Sequence, residues 1–328
     1  MTSRAASPDL PAALKAALEA RLHGVSRNEA AERAAAISKT YRDGGNSAAI
    51  RSETDALAYA LARMPATYAA DIASLNALCE IRPDFAPASL LDVGAGPGTA
   101  TWAAAQAFPS LREFTLLDAN EALRVLGLGL AAEEARFCDI RYERGNASAA
   151  LANADPADLV VASYVIGELG DTERPALASA MWQKTRDTLL VIESGTPAGY
   201  ARIIALRAQL LAEGGHVAAP CPHDGACPLA SPDWCHFTQR LQRSRAHKQI
   251  KGAELPFEDE KFCYVALTRA PVTQRPSRVL AQPVLGKAEV TAKLCTPGGL
   301  EIARVPRRDK AGYAAARRWR WGDAAVLN

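Results

Sequence analysis

The chain has 328 residues, 49% hydrophobic and 23% charged, with 38 Lys+Arg against 36 Asp+Glu and a net charge of +2. That composition excludes a disordered or collagen-like chain and leaves room for a full core in one large domain or two moderate ones. No apolar stretch approaches the roughly 18 residues of a membrane-spanning helix, so no membrane partner is expected.

The N-terminal MTSRAASPDLPAALKAALEA lacks an uninterrupted apolar run and does not read as a signal peptide; the alternative, an Ala- and Arg-bearing organellar transit peptide, is disfavoured by Asp9 and Glu19, so a cytoplasmic, bacterial protein is expected. Residues 8–80 are rich in Ala and Leu. ALKAALEARL and TYAADIASLNALCEI carry apolar residues at three- and four-residue spacing and read as helices, with RDGGNSAAIRSET as a loop between them. Residues 1–85 thus form a helical N-terminal extension. From Ser89 the pattern alternates. SLLDVGAG reads as a buried strand, TATWAAAQAF as a helix, REFTLLDAN as a strand, NEALRVLGLGLAAEE as a helix and ARFCDIRY as a weaker strand. ADLVVASYVIGEL and DTLLVIESGTP supply two more strands around the helix RPALASAMWQKT, and GYARIIALRAQLLAEGG closes the unit. Strands alternating with helices predict a parallel α/β sheet over residues 86–215.

After Gly215 the alternation stops. A cysteine-bearing stretch is followed by a basic, helix-like segment, HFTQRLQRSRAHKQIKG. KFCYVALTR alternates with period two and reads as a strand, and KAEVTAKLCTPGGLEIARV reads as a hairpin turning at Pro297, Gly298 and Gly299. Residues 216–328 are expected to form a separate, smaller β-containing module.

LDVGAGPG, Leu91 to Gly98, falls at a predicted strand end before a helix, where open α/β sheets bind ligands. Gly94, Gly96 and Gly98 let the backbone turn tightly and approach a ligand. A dinucleotide motif started at Gly94 needs its last glycine where this chain has Thr99. Asp92 also places an acid before the glycines, which would repel a pyrophosphate but can accept hydrogen bonds from an ammonium group. Asp118 ends the next strand, where an acid commonly grips ribose hydroxyls. The acid, the glycines and the second acid together resemble the cofactor motifs of class I S-adenosylmethionine-dependent methyltransferases. The resemblance implies cofactor contacts from Asp92, Gly94, Ala95, Gly96, Gly98 and Asp118. At the fourth strand, amino-group methylators often carry Asn/Asp-Pro-Pro-aromatic. Here the residues are Ala162, Ser163, Tyr164 and Val165. Tyr164 and Glu168 are the catalytic candidates, the alternatives being a packing residue and a helix-start acid. Cys79 and Cys138 read as buried small residues.

Seven cysteines are present, and three of them lie in CPHDGACPLASPDWC as Cys221, Cys227 and Cys235. The Cys-x5-Cys-x7-Cys spacing is neither a zinc-ribbon pair nor a common ferredoxin run. Close thiolates repel, and a metal relieves the repulsion. From the residues alone, the fourth ligand is open among Cys263, Cys295, His223 and His236.

The run from CPHDGACPLASPDWC through KGAELPFEDEKFCYVALTR resembles the C-terminal signature of the Rsm-type family, methyltransferase-like proteins of the small ribosomal subunit found in bacteria and mitochondria. ARMPATYAA, LLDVGAGPGTATWAA, ESGTPAGYARIIALR and RRDKAGYAAARRWRWGD fit the same family. The resemblance implies a 4Fe–4S cluster on Cys221, Cys227, Cys235 and Cys295, with zinc as the alternative metal. It also implies small-subunit rRNA, or a pre-small-subunit particle, as the partner of a chain that is a monomer off the ribosome.

Residues 1–218 hold 20 Lys+Arg and 26 Asp+Glu, a net of −6, whereas residues 219–328 hold 18 and 10, a net of +8. A basic C-terminal third predicts a polyanionic partner. Arg240, Arg243, Arg245, Lys248 and Lys251 follow the third cysteine without an intervening acid and read as a helical run, with Arg240 and Arg243 on one face. Arg307, Arg308, Lys310, Arg317, Arg318 and Arg320 interleave with Tyr313, Trp319 and Trp321, which suits phosphate contact and base stacking unless the tryptophans are core residues.

The expected fold class is therefore α/β, a class I (Rossmann-like) methyltransferase sheet with a helical N-terminal extension and a smaller β-containing, metal-cluster C-terminal module. The expected activity is methyl transfer to rRNA. The alternatives are an assembly factor that binds cofactor and rRNA without methylating, and a zinc-stabilised methyltransferase of a protein or small molecule.

Overall fold

The computed structural model describes residues 5–325. Three helices come first: α1 (Ala12–Arg21), α2 (Arg27–Arg42) and α3 (Glu53–Ile81). Ser26 caps α2 by accepting from the Glu29 N–H. Ser52 and Asp55 form a capping box that starts α3. At 29 residues α3 runs for about 44 Å. Its alanines have high helix propensity, and their small side chains let α2 and the first sheet helix pack closely against it. One face of α3 breaks the apolar pattern. Tyr59, Arg63, Thr67 and Asp71 follow each other at four-residue spacing and so share one side of the helix.

The sheet then unfolds in chain order as β1 (Ser89–Val93), α4 (Thr99–Ala107), β2 (Glu113–Asp118), α5 (Glu121–Ala131), β3 (Arg141–Arg144), α6 (Ala147–Asn153), β4 (Ala157–Ser163), α7 (Glu173–Gln183), β5 (Thr185–Ser194) and α8 (Pro197–Ala212). Next come β6 (His216–Ala219), β7 (Phe237–Gln242), α9 (Arg245–Lys251) and β8 (Phe257–Thr268). The strand order is β3-β2-β1-β4-β5-β8-β6, with β7 also paired to β8. The first five strands are mutually parallel, and β8 runs antiparallel to β5, β6 and β7. This order, reversing between β1 and β4 and ending in one antiparallel strand beside the last parallel one, is the class I methyltransferase sheet. Its inner strands are apolar on both faces, and β1 is buried throughout. The face toward α4 is locked by edge-on aromatics, with Phe137 at 4.8 Å from Trp102 and 5.0 Å from Phe114 between ring centroids.

A second sheet contains β9 (Ser277–Val279), β10 (Val284–Leu285), β11 (Glu289–Thr296), β12 (Gly299–Pro306) and β13 (Ala324–Ala325), with α10 (Lys310–Ala316) packed on it. The hairpin of β11 and β12 pairs in register from Thr296 with Gly299 to Glu289 with Pro306, as the Pro-Gly-Gly turn predicts. Among the described residues no helix is long and apolar enough to cross a membrane.

Four expectations need correction. The boundary at residue 216 does not separate two sheets, because β6, β7 and β8 complete the first one and the second begins near Ser277. Antiparallel additions need no crossover helix, so the end of strand–helix alternation is not the end of the sheet. The third strand covers Arg141–Arg144 only, and Ala135–Phe137 before it is a 3₁₀ turn. The basic segment is not one helix. Arg240 lies on β7, and the helix begins at Arg245. Cys138 is exposed and Cys79 is half-buried, so neither is a buried core thiol.

Candidate functional site

The C-terminal ends of β1, β2 and β4 open onto a cleft of about 340 Å³, within the range of small-molecule sites. Its floor is the turn after β1. Gly94, Gly96 and Gly98 all have positive φ, at 70°, 55° and 82°. At Gly94 a Cβ would also sit 2.4 Å from Val165 Cγ2, so both backbone shape and space require glycine there. The Leu117 carbonyl accepts from the N–H groups of Gly94 and Ala95 at 2.8 and 3.0 Å, tying the turn to β2.

Asp118 is held by two amides: the Gly96 N–H donates to Oδ2 at 2.8 Å and the Asn120 N–H to Oδ1 at 2.7 Å. Each oxygen keeps a free lone pair in a cleft that the residue lines. Burial pushes its carboxyl up, and the amide donors pull it back. Asp92 lines the cleft but also faces inward. Its Oδ2 accepts from the Thr101 N–H and Oγ1 at 3.1 and 2.7 Å, and burial pushes the carboxyl up to about 7. Asp92 therefore anchors α4 to β1.

The catalytic candidates are both committed to the protein. Tyr164 is, among the described residues, the one non-glycine residue at positive φ (57°), a strained position at the end of β4. Its hydroxyl donates to Glu260 on β8 at 2.9 Å, and Arg63 from α3 reaches the same oxygen at 3.3 Å. Glu168 accepts from the Ser47 N–H and Oγ at 3.1 and 3.0 Å, and burial raises its carboxyl. Asn120 donates from Nδ2 to the carbonyls of Ser47 and Ile50 at 2.8 and 2.9 Å. The loop between α2 and α3 thus forms a strap across the cleft, fastened near Asp118 at one end and near β4 at the other. Tyr41 and Tyr59 stack beneath it with centroids 6.0 Å apart.

Behind the β4 end, the Ser163 hydroxyl donates to Asp71 Oδ1 at 2.5 Å. Asp71 is fully buried, its Oδ2 has no partner, and burial holds its carboxyl well above the ordinary range. The polar stripe of α3 and the strap are what the sequence reading missed. A four-residue polar period inside an Ala/Leu helix is the signal that could have found the stripe. The strap's hydrogen bonds leave no signal in the sequence.

A second cavity is lined by Cys221, Cys227, Cys235, Cys263 and Cys295. The first three come from the loop after β6, and Cys295 comes from the end of β11. Burial raises the thiols of Cys221, Cys235 and Cys295. The Cys235 thiol stands well above its usual range through burial and the proximity of Cys221, Cys263, Cys227 and Cys295. Cys295 is pushed up to about 12 by burial and by Cys221 and Cys227. Cys263 lies to one side: its Sγ donates to the Cys235 carbonyl at 3.0 Å, and Glu193 is the charge it feels after burial. Tyr200 donates to Cys227 Sγ at 3.1 Å.

Two buried guanidinium groups accompany the thiols. Arg207 and Arg278 are 3% and 2% exposed and line the same cavity. Their hydrogen bonds run to the carbonyls of His223, Gly225, Pro220 and Gly322, and Arg207 Nε has no partner. Buried cations need a counter-charge; both guanidinium groups act on the Cys221 thiol, and Arg278 also acts on the Asp323 carboxylate. His223 Nε2 is 3.8 Å from Cys295 Sγ. His236 sits between Trp234 and Trp321 and does not line the cavity. Among the described residues, no three His, Cys, Asp or Glu side chains converge as a single-ion site.

The two basic groups fare differently. Register places Arg240 opposite Asp259 on β8, and the pair is bidentate at 2.7 Å for both contacts. Arg243 donates twice to Glu258 at 3.2 Å, and Lys251 donates to the same carboxylate. Much of the first basic run is therefore neutralised by β8. Arg307, Arg308, Lys310, Arg317, Arg318 and Arg320 are exposed around α10. The aromatics among them turn inward. Trp319 packs on the second sheet, and the Trp321 Nε1–H donates to the His236 carbonyl at 2.8 Å.

The family model described as mitochondrial small ribosomal subunit Rsm22 matches residues 53–325. The chain belongs to the Rsm22 family. Over 287 residues it is 30% identical to the human "Ribosome assembly protein METTL17, mitochondrial", covering 81% of this chain and 61% of that protein. It is 23% identical over 368 residues to "Rsm22-cox11 tandem protein 2, mitochondrial" of Schizosaccharomyces pombe, covering 93% of this chain and 47% of that protein. This Rsm22-family chain therefore spans about half to three-fifths of the length of these relatives. Magnesium protoporphyrin IX methyltransferase from Synechocystis with bound SAM aligns with 63% of this chain and 84% of its own, at 13% identity and a TM-score of 0.39. Strand order, not that score, identifies the sheet. The family and its curated relatives are mitochondrial by description, which overturns the expectation of a cytoplasmic, bacterial protein. A globular composition is the same in either compartment, because address signals are read by receptors and not by the fold.

Proposed function

We propose that this Rsm22-family chain is a small-subunit assembly factor that binds S-adenosylmethionine as a held ligand. In this reading it contacts rRNA through the exposed Arg317, Arg318 and Arg320. The observation that carries the held-ligand reading is the commitment of both polar candidates at the cleft: Tyr164 to Glu260, and Glu168 to Ser47. The cofactor would lie with its ribose on Asp118 and its methionine end over Gly94 and Gly96, under the Ser47 strap. The name of the human relative, a ribosome assembly protein, supports the same reading.

In the same reading an iron–sulfur cluster occupies the thiol cavity. Cys221, Cys227, Cys235 and Cys295 would hold it, while the buried Arg207 and Arg278 would offset the negative charge of a thiolate-bound cluster. Such a group would tie the loop after β6 to the second sheet. A single zinc needs four ligands at about 2.3 Å from one point.

The second reading, methyl transfer to rRNA, is favoured by one observation, the Ser163–Asp71 pair with its unpartnered carboxyl oxygen beside the cleft. Mapping rRNA methylation with and without the gene separates the two. The held-ligand reading expects an unchanged map together with a deficit of mature small subunits. A methyl group lost from a defined nucleotide would establish the enzyme instead.

The strap makes its own prediction. Glu168→Ala releases two hydrogen bonds to Ser47, and S-adenosylmethionine should dissociate about tenfold faster in stopped-flow measurements. An unchanged dissociation rate would mean that the strap does not retain the ligand.

A further inference from the structure

The longest open edge of the second sheet is β12. Among the described residues β12 pairs with β11 and with no other strand, so eight residues, Gly299–Pro306, present an open edge of about 26 Å. Four of the six strongly exposed large aliphatic side chains among the described residues belong to this sheet: Val284 (67%), Leu285 (59%), Leu300 (43%) and Ile302 (55%). Leu300 and Ile302 alternate along β12, opposite Cys295 and Lys293 of β11, on the face away from the sheet's core. Soluble proteins blunt such edges with charge, proline or a covering element. Here Pro306 closes one end and Glu301 and Arg304 put charges on the strand, but no further strand pairs with the Leu300–Ile302 stretch among the described residues.

We propose that β12 is a docking edge for an extended, acid-bearing segment of a partner protein, which adds to the second sheet as a further strand. An open edge supplies main-chain donors and acceptors, and alternating apolar side chains supply selectivity. Arg307, Arg308 and Lys310 follow the edge, exposed and without an acidic side-chain partner among the described residues, which selects acidic residues in the incoming segment. RNA fits the edge less well, since single-stranded bases are held by stacking on rings. The rings nearby, Tyr313, Trp319 and Trp321, pack inward, and what the edge exposes is aliphatic. A second copy of this chain would bring the same arginines face to face.

The test places a photo-reactive p-benzoylphenylalanine at position 302 of the full chain and irradiates living cells. The adduct is expected to survive ribonuclease and yield to protease, with the cross-linked peptide rich in acidic and β-forming residues. In the purified complex the amides of 299–306 should exchange about tenfold more slowly than in the free chain. Leu300→Glu, at an exposed position, should lower the adduct yield about tenfold while leaving the unfolding temperature unchanged. A ribonuclease-sensitive adduct would assign the edge to RNA, and an adduct between two copies would assign it to self-association. Either result overturns the proposal, as does the absence of an adduct or a protein adduct without slowed exchange. Sedimentation with small-subunit particles, measured in parallel, reports on the assembly reading separately: a chain that still sediments but shows an unprotected β12 sinks the docking edge alone.

Discussion

Asp118→Ala is expected to weaken S-adenosylmethionine binding by about 100-fold in calorimetric titration. Two ribose hydroxyls would lose a charged acceptor, and hydrogen bonds to charged groups contribute about 1.5–3 kcal/mol each. The same carboxylate orders the turn by accepting from Gly96 and Asn120, so the substitution also loosens the floor of the cleft. Asp118→Asn keeps one carbonyl acceptor and should fall between the two. Unaltered affinity in a folded Asp118→Ala chain would refute the ribose role and with it the placement of the cofactor.

Cys235→Ser and Cys295→Ser should each remove the iron and the brown absorbance near roughly 400 nm from anaerobically purified protein. Cys263→Ser should keep both. The distinction follows from position. Cys295 feels Cys221 and Cys227 directly, whereas Cys263 spends its S–H on the Cys235 carbonyl. Because metal binding to such a site is also folding free energy, the first two variants should unfold at lower temperature, with the loss centred on the loop after β6 and the second sheet. A colourless wild-type protein with stoichiometric zinc would reject the cluster. A colourless Cys263→Ser protein would show the ligand set to be wrong.

The cofactor-like turn was legible because its physics is local. A strand end, three glycines at positive φ and an acid on the next strand are set by short-range sterics, and the structure gathers five of the six expected cleft residues around one opening, with Gly98 behind them at the start of α4. The hairpin turn at Pro297–Gly299 was legible for the same reason. The basic run was misread because charge in the sequence is not charge on the surface. Arg240 and Arg243 have no acid next to them in the chain, yet β-pairing brings Asp259 and Glu258 alongside, and Glu258 also takes Lys251. Tyr164 and Glu168 were placed at the cleft by strand position alone. Only their partners, Glu260 on β8 and Ser47 on the strap, reveal what those groups are already doing.

By itself, then, the sequence determined the alternation of strands and helices from Ser89 through residue 212 apart from α6, the glycine turn with its two acids, the tight hairpin and the clustering of three thiols. Each depends on hydrophobic period or backbone freedom within a few residues. Tertiary structure decided the rest. It extended the sheet through β6, β7 and β8, laid the Ser47 strap over the cleft, set Cys295 beside thiols sixty residues earlier, paired three of the five cations of the first basic run with acids and left β12 with an open edge. These outcomes depend on which distant segments share an edge or a cavity, and long-range pairing is set by the packing of the whole chain rather than by any local stretch of it.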